Sequence, residues 1–346
     1  MNRRLDRREA GGARLTTRDQ QILDFIERAQ PVATSAIEVF ASMSLPMARR
    51  RLRVLFDLGA VRVFMRGQEH ENLYGLAPLG ARAVAELRDC DNDPVRTLRG
   101  IGCVQLAHHA GVARFFALLT AATRVPNTWT LERFLFESEI RASLPDPRGA
   151  QLPDAAARLC LAQAHRAFAI EMDTGSEKSP RWILEHKLLP YGAAKAAGTP
   201  LLECPSWKVL FLVPSEKRRS RLLGVLRGAS VPDLFVFFAI LPSLTAANLF
   251  VPELWHTTHR GGLVAASPFT RPVITNRDDR NHPQAPATPT PSSLRGDGAT
   301  RMSTKLQTPT QHIQTNAASL TAPSRSIDPS SPTLSASRLP TTPRGR

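Results

Sequence analysis

Three acidic residues in the middle of the chain lie at the ends of short apolar runs that indicate β-strands. Asp154 follows Pro153 and opens one run, and Glu171 and Asp173 close the next, with Glu171 17 residues after Asp154. Residues two apart on a strand point to the same face, so all three carboxylates can share a pocket if the strands pair. Clustered carboxylates repel one another unless a cation lies among them. Their oxygen atoms suit Mg²⁺, so we predict a magnesium site held by Asp154 and Glu171.

Two further residues could complete this candidate catalytic site together with Asp173. Glu132 lies on the preceding predicted strand, and Lys187 lies on the helix that follows the third strand. A bound metal would activate water and stabilise a pentavalent phosphate, and Lys187 would assist the attack of that water. The alternative is structural, because residues 173–176 (DTGS) also form an ordinary turn at the end of a strand.

A row of arginines on one predicted helix is the second group of residues that could have a chemical function. The apolar residues of this helix recur every three or four positions and predict its buried face: Leu45, Ala48, Leu52, Leu55 and Leu58. Its other sides carry Arg49, Arg50 and Arg53, with Arg51 flanking them. Residues 15–90 otherwise almost balance their charges, so the arginines are a local concentration of the kind that a recognition helix places in the major groove of DNA. An ordinary solvated helix face is the alternative.

The elements around the arginine helix predict a winged helix-turn-helix over residues 15–90. One helix begins with Thr17 as its N-cap and ends near Gln30, a second runs from Thr34 or Ser35 to about Ala41, and Gly59 ends the third. Short strands follow at 61–64 and 73–76, on either side of a polar turn. A basic arm, residues 1–14, could lie along DNA phosphates.

Residues 100–260 predict an α/β layer domain, which follows a linker around residues 89–98. Apolar periodicity gives the following order of elements: helix 104–124, strands 128–136, 155–161 and 168–172, helix 180–197, strand 208–213, helix 215–227 and strand 234–240. The fold class is therefore α/β, or α+β for the chain as a whole.

Composition limits the remaining classes of protein. The formal charge is +15, from 45 basic and 30 acidic residues, and residues 267–346 hold 12 prolines and 24 serines or threonines. We predict that this C-terminal tail is disordered, because it lacks the apolar surface that offsets backbone ordering. The four cysteines form no CxxC pair, so we expect neither a structural zinc site nor a disulfide scaffold. The N-terminus does not look like a signal peptide, and no apolar run is long enough to span a bilayer, so we expect a cytoplasmic protein.

The chain from residue 15 to 257 resembles the plasmid replication-relaxation family. The stretches that carry the resemblance are loose one by one, but they occur in the family's order and spacing: LTTRDQQIL, ARRRLRVLFDLGAV, YGLAPLGARAVA, LAHHAGVARFF, WTLERF, LPDAAARL, FAIEMDTGSE, HKLLPYGAA and VLFLVPS. The resemblance implies a winged helix joined to a restriction-endonuclease-like domain, with a role in plasmid replication and in relaxing plasmid DNA. By position it implies a central site of Glu132, Asp154, Glu171, Asp173, Lys187 and Tyr191.

Departures from the nuclease pattern leave two functions open. The third strand carries Glu171-x-Asp173 instead of Glu-x-Lys, so Lys187 would have to replace the usual lysine from the helix. The first hypothesis is a DNA-binding replication protein with a divergent, Mg²⁺-dependent nickase activity. The second is a winged-helix regulator of transcription or replication whose nuclease-like domain is an inactive scaffold. Both imply double-stranded DNA and replication proteins as partners and no membrane; the oligomeric state stays open, with a homodimer as one option.

Overall fold

The computed structural model describes residues 14–64, 71–88, 103–126, 128–144, 152–175 and 179–270. The N-terminal part contains four helices and three strands, in this order: α1 (Thr17–Ala29), β1 (Val32–Ala33), α2 (Thr34–Phe40), α3 (Leu45–Asp57), β2 (Val61–Phe64), β3 (Leu73–Leu76) and α4 (Pro78–Leu87). The strands form an antiparallel sheet in the order β1-β3-β2. Strands β2 and β3 have the predicted bounds, whereas β1 and α4 were not predicted.

Helix α1 begins one residue earlier than the sequence indicated. Thr16, not Thr17, is the N-cap: its hydroxyl accepts from the Asp19 amide, and the Asp19 carboxylate accepts from the Thr16 amide. This reciprocal capping box satisfies backbone donors that a helix start leaves unpaired. The predicted N-cap was wrong because Asp19, three residues after Thr16, decides which of the two threonines can form the box.

Helix α3 follows the prediction closely. Ala48, Leu52 and Leu55 are buried, which confirms the inward face that the apolar spacing indicated. Pro46 lies in the first turn, where a missing amide proton costs nothing. Gly59 follows the helix with a φ of +79°, a left-handed conformation that glycine adopts without steric cost.

The rest of the described chain builds a seven-stranded sheet with helices on it. Its elements are α5 (Cys103–Ala122), β4 (Thr130–Phe136), α6 (Glu137–Ser143), β5 (Ala155–Leu161), β6 (Ala164–Met172), α7 (Pro180–Ile183), a π-helical turn (Leu184–Leu188), α8 (Leu189–Ala196), β7 (Trp207–Val213), α9 (Glu216–Leu226), β8 (Val236–Ile240), β9 (His256–His259) and β10 (Gly262–Ala265). The sheet order is β10-β9-β8-β7-β6-β5-β4. Strands β6, β7 and β8 are parallel and the other neighbours antiparallel. The mixed α/β class is confirmed.

Several elements of this sheet differ from the prediction. Helix α6 and strands β9 and β10 were not predicted, and β6 begins at Ala164 instead of Phe168. The β9 segment, HTTH, carries no apolar alternation; Thr257 and Thr258 become buried only because neighbouring chain covers them. The predicted helix 180–197 is present, but it widens into the π-helical turn at Leu184–Leu188.

One apolar core connects the N-terminal helices to the sheet. The Phe25 ring of α1 lies 5.6 Å from the Phe116 ring of α5, and Phe116 lies 4.6 Å from Phe134 of β4. Arg28 of α1 donates to the Phe134 carbonyl at 2.8 Å. The described residues belong to a single compact unit, 1–275. The predicted linker around 89–98 lies outside the described residues, as do residues 1–13 of the basic arm.

The predicted start of the disordered tail at Ser267 is too early. Phe269 is buried and packs on Phe168, with 5.0 Å between ring centres, and its carbonyl accepts from the Trp129 indole at 3.0 Å. Arg166 donates to the carbonyls of Pro268 and Thr270. Composition missed this contact because one aromatic residue in a polar segment can dock alone where the sheet provides a pocket. Residues 271–346 lie outside the described residues.

Gly80 of α4 allows a close helix approach. A Cβ atom at this position would lie 2.1 Å from the backbone oxygen of Ala60. We expect Gly80→Ala to lower the free energy of unfolding by about 1–3 kcal/mol, because the backbone must move apart. The control is Gly224→Ala in α9, where nothing lies within 4 Å of the new Cβ; it should raise stability by about 0.5–1 kcal/mol. Urea denaturation of both variants measures this, and a Gly80→Ala variant as stable as the parent contradicts the close approach.

None of the helices that the structure describes combines the length and the apolar character needed to cross a bilayer.

Candidate functional site

Two strands bring Asp154 and Glu171 side by side. Strands β5 and β6 are antiparallel, with Ala155 opposite Ile170, so the next position of each strand holds Asp154 and Glu171. An Asp154 oxygen accepts from the Met172 amide at 2.7 Å, which fixes the carboxylate against the end of β6. The sequence indicated that these acids meet if the strands pair, and the structure has this pairing.

The helix after β6 supplies two donors to Glu171. Lys187 Nζ lies 2.7 Å from Glu171 Oε2, and the Tyr191 hydroxyl donates to Glu171 Oε1 at 2.5 Å. Lys187 is in the π-helical turn and Tyr191 in α8, four residues later, so both side chains reach the same face. Single π-helical turns occur often at functional sites.

His108 of α5 is a member of this cluster that the sequence reasoning missed. Its Nε2 lies 3.2 Å from Asp154 Oδ1. The sequence feature that could have indicated this contact is Gly111, one turn later in α5. A Cβ atom there would lie 2.8 Å from the sulfur of Met172, so the glycine lets α5 lie close to the end of β6.

Burial and mutual repulsion shift the ionisation of this group. Glu171 is 1% exposed; burial and then the charge of Asp154 raise its pKa to about 8, against the opposing effect of Lys187 and Tyr191. Burial also raises the pKa of Asp154, but the His108 hydrogen bond and the Lys187 charge outweigh it and leave that pKa below its usual value. Burial, followed by the Glu171 charge, raises the pKa of Tyr191 well above its ordinary range. The phenol therefore stays protonated as a hydrogen-bond donor.

Asp173 lies beyond the end of β6 with a partner of its own. It is 1% exposed, and its Oδ2 accepts from Arg218 Nε of α9 at 2.5 Å, while Oδ1 accepts from the Gly175 amide at 2.7 Å. The turn that the sequence offered as the alternative for residues 173–176 is thus present at Gly175. Asp173 therefore forms an ion pair with Arg218 of α9.

Glu132 lies away from Asp154. Its carboxylate accepts from Arg158 Nε at 2.9 Å and lies 2.9 Å from His165 Nδ1. The residue opposite Ala155 on β4 is Phe136, four residues further along. At about 3.3 Å per residue this is a separation of about 13 Å along the strand, so Glu132 is not part of the Asp154–Glu171 cluster.

The carboxylates of Asp154 and Glu171 are the residues that could hold a divalent cation here. Their oxygen donors, from adjacent strands, match the one or two carboxylates with which proteins usually bind Mg²⁺. Burial is the larger cause of the raised pKa of Glu171, and repulsion from Asp154 is the second; a cation between the two carboxylates would relieve that repulsion. The donor set therefore fits the ion.

The four arginines of α3 divide into two pairs. Arg51 forms a bidentate ion pair with the fully buried Asp19, and Arg53 Nη2 lies 2.9 Å from Asp57. Arg49 and Arg50 are exposed near the N-terminal end of the helix. The predicted set of four DNA contacts thus contains one arginine, Arg51, that is held against α1. Helical spacing could not reveal this, because Asp19 lies 32 residues away in sequence.

Comparison with known proteins gives one match. A model of the replication-relaxation family matches residues 23–198, which suggests a role in the replication of a plasmid or mobile element. The match spans the arginine helix, both strands that carry Asp154 and Glu171, and Lys187. No curated protein and no solved structure gives a significant match to the chain. Because the family model covers half of the 346 residues, the chain belongs to the replication-relaxation family.

Proposed function

We propose that this protein binds double-stranded DNA during replication of a plasmid or mobile element, through a winged helix formed by residues 15–90. The observation that carries the proposal is the pair of exposed arginines, Arg49 and Arg50, in the N-terminal half of α3. Helices α2 and α3 supply the helix-turn-helix, and strands β2 and β3 supply the wing. Recognition helices read base edges with residues from their N-terminal end.

Arginine suits this task because its planar guanidinium binds guanine edges and phosphates through two hydrogen bonds. The other two arginines of α3 serve the fold: Arg51 holds Asp19, and Arg53 pairs with Asp57 and lies over the Phe56 ring. Replication proteins acting on the same DNA are the further partners that family membership suggests.

Replacing Arg49 and Arg50 together with alanine should weaken binding to a duplex fragment by about 10–100-fold and reduce the slope of log affinity against log salt by about 2. The control is Arg82→Ala, which removes an exposed arginine from α4. Fluorescence anisotropy at several salt concentrations measures both quantities. If the double variant keeps the parental affinity and salt slope, α3 is not the DNA contact.

A second candidate function is metal-dependent cleavage of a DNA strand by the restriction-endonuclease-like part. The observation that favours it is the group formed by the buried Glu171 with the half-buried Asp154 and Lys187, because charges withdrawn from water cost stability and are concentrated at functional sites. Mg²⁺ held by Asp154 and Glu171 would supply an activated water and neutralise charge on the phosphate.

This chain's own residues would position that chemistry. His108 and the Met172 amide orient the Asp154 carboxylate, and Tyr191 orients Glu171. Lys187 brings from the helix the ammonium that the third strand lacks at Asp173, and it lies 2.7 Å from Glu171. An inactive scaffold with the same fold remains the competing hypothesis.

Supercoiled plasmid incubated with the protein and Mg²⁺ or Mn²⁺ separates the two hypotheses. Metal-dependent cleavage is supported if the plasmid converts to the open-circular form and if a chelator abolishes this conversion. Absence of nicking at enzyme concentrations that saturate DNA binding supports the non-enzymatic regulator.

A further inference from the structure

A second group of potential ligands lies outside the Asp154–Glu171 cluster. Glu132 of β4, Cys160 of β5 and His165 of β6 each offer one ligand atom, and these three atoms all lie within 4.8 Å of one another. Among the residues that the structure describes, this is the one group of three such side chains. Each ligand comes from a different strand, so the sheet and not a loop holds them.

The β5–β6 hairpin fixes two of the three ligands. Cys160 and His165 are directly opposite each other in the register, and such cross-strand neighbours have Cβ atoms about 4.5–5.5 Å apart. The two residues at the tip of the hairpin, Ala162 and Gln163, have φ values of +48° and +68°. Positive φ at both positions is typical of the tight turn that locks hairpin register.

A β-bulge brings the third ligand to the same face. The β4–β5 register passes from Leu131 opposite Leu159 to Arg133 opposite Arg158, so Glu132 is the extra residue. Alternation counted back from the buried Phe134 would put Glu132 on the face of the main core. The bulge reverses this, and the carboxylate lies beside Arg158 and His165 instead.

We propose that Glu132, Cys160 and His165 bind a zinc-class divalent metal ion. Thiolate, imidazole and carboxylate are the three ligand types that zinc takes in proteins, and three protein ligands leave a fourth position for water. The thiol loses its proton to solvent when the metal binds, because the thiolate is the ligand. Mg²⁺, which prefers oxygen ligands, is excluded by the sulfur and nitrogen donors.

Two contacts of the Glu132 carboxylate, with Arg158 and with His165, must change when the metal binds. The Glu132 carboxylate now accepts from Arg158 and lies against His165 Nδ1. Arg158 also donates to Glu203 at 3.0 Å and to the Leu202 carbonyl at 3.3 Å, so it keeps partners when it releases Glu132. Glu132 and His165 are both on the surface, so the ion can reach the site without opening the core.

Cobalt is the probe for this site, because Co²⁺ replaces zinc and a thiolate ligand gives it a charge-transfer absorption band. We expect the full-length protein to show this band on titration with Co²⁺ and to lose it when Zn²⁺ is added. Cys160→Ser should abolish the band, and His165→Ala should weaken Co²⁺ binding by about tenfold or more. Cys204→Ser is the matched control, since Cys204 is buried and is not one of the three clustered ligands, and it should leave the band unchanged.

The Glu171→Gln variant tests whether Co²⁺ binds at the Asp154–Glu171 cluster instead. It should keep the absorption band at parental intensity. Circular dichroism of each variant establishes that it is folded; the substituted residues are at the surface or isosteric. A parental protein without the band, or a band that persists in Cys160→Ser, overturns the proposal.

Discussion

If the Asp154–Glu171 cluster cleaves DNA as proposed, Glu171→Gln is expected to reduce Mg²⁺-dependent nicking of supercoiled plasmid by about a thousandfold, equivalent to about 4 kcal/mol in the activation barrier. The amide keeps the size of the side chain and still accepts a hydrogen bond, but it lacks the negative charge that holds a divalent cation beside Asp154. The side chain is fully enclosed and its carboxylate contacts Lys187 and Tyr191. Loss of activity without loss of folding therefore reports on the charge itself.

Two matched variants make this result specific. Glu185→Gln changes an exposed carboxylate in the same π-helical turn as Lys187 and should leave the rate unchanged. Glu132→Gln should also nick at the parental rate, because Glu132 lies with Arg158 and His165 and not with Asp154. Initial rates of open-circle formation, together with melting temperatures, measure both effects. If Glu171→Gln nicks plasmid at the parental rate, Glu171 is not part of the catalytic site.

The second large effect concerns stability at the start of the winged helix. Asp19 has no exposed surface, caps α1 and forms a bidentate ion pair with Arg51. Asp19→Asn should lower the free energy of unfolding by about 2–3 kcal/mol, less than the cost of breaking a fully buried ion pair, because the Arg51 side chain is 28% exposed. The control is Asp24→Asn on the same helix, whose ion pair with Arg88 is about one-third exposed and should contribute less than about 1 kcal/mol.

The pH dependence of stability gives the same pair a second signature. Burial raises the pKa of Asp19, but the hydrogen bonds from Arg51 and Thr16 outweigh it and leave that pKa below the ordinary 3.8. The unfolded chain therefore binds the proton first as pH falls, so this carboxylate stabilises the fold fully above pH 3.8 and loses that effect as pH falls through the folded-state pKa. Chemical denaturation at a series of pH values should show the difference between parent and Asp19→Asn shrinking below that point. A difference that stays constant with pH contradicts the ion pair.

These expectations depend on elements that the sequence predicted to different degrees. Strand β5 has the predicted bounds, because a run that is apolar except for Arg158 and that ends at a turn is typical of a strand covered on both faces of its sheet. Strand β9 was missed because its polar residues are buried only by their neighbours. Phe269 was assigned to a disordered tail for a related reason: composition averages over a segment and does not register one aromatic side chain that docks.

The residues of the candidate sites also differ in how far the sequence could predict their contacts. Asp154 and Glu171 are adjacent because a hairpin must place the start of one strand beside the end of the next, and this relation is readable from two strands and a short turn. His108 joins them through packing of α5, which no local pattern encodes. Glu132 lies outside the Asp154–Glu171 cluster because it is four residues along β4 from Phe136, the residue opposite Ala155.

The sequence by itself determined the α/β class and the helix that carries the arginines, because both depend on periodicity, and it indicated that Asp154 and Glu171 meet if their strands pair. Only the tertiary structure decided which charges are already neutralised within the protein. Arg51 is held by Asp19, Asp173 by Arg218, and Glu171 by Lys187. These partners lie 16 to 45 residues apart in sequence, and a Coulombic contact depends on distance in space and on burial, neither of which the linear order of residues contains.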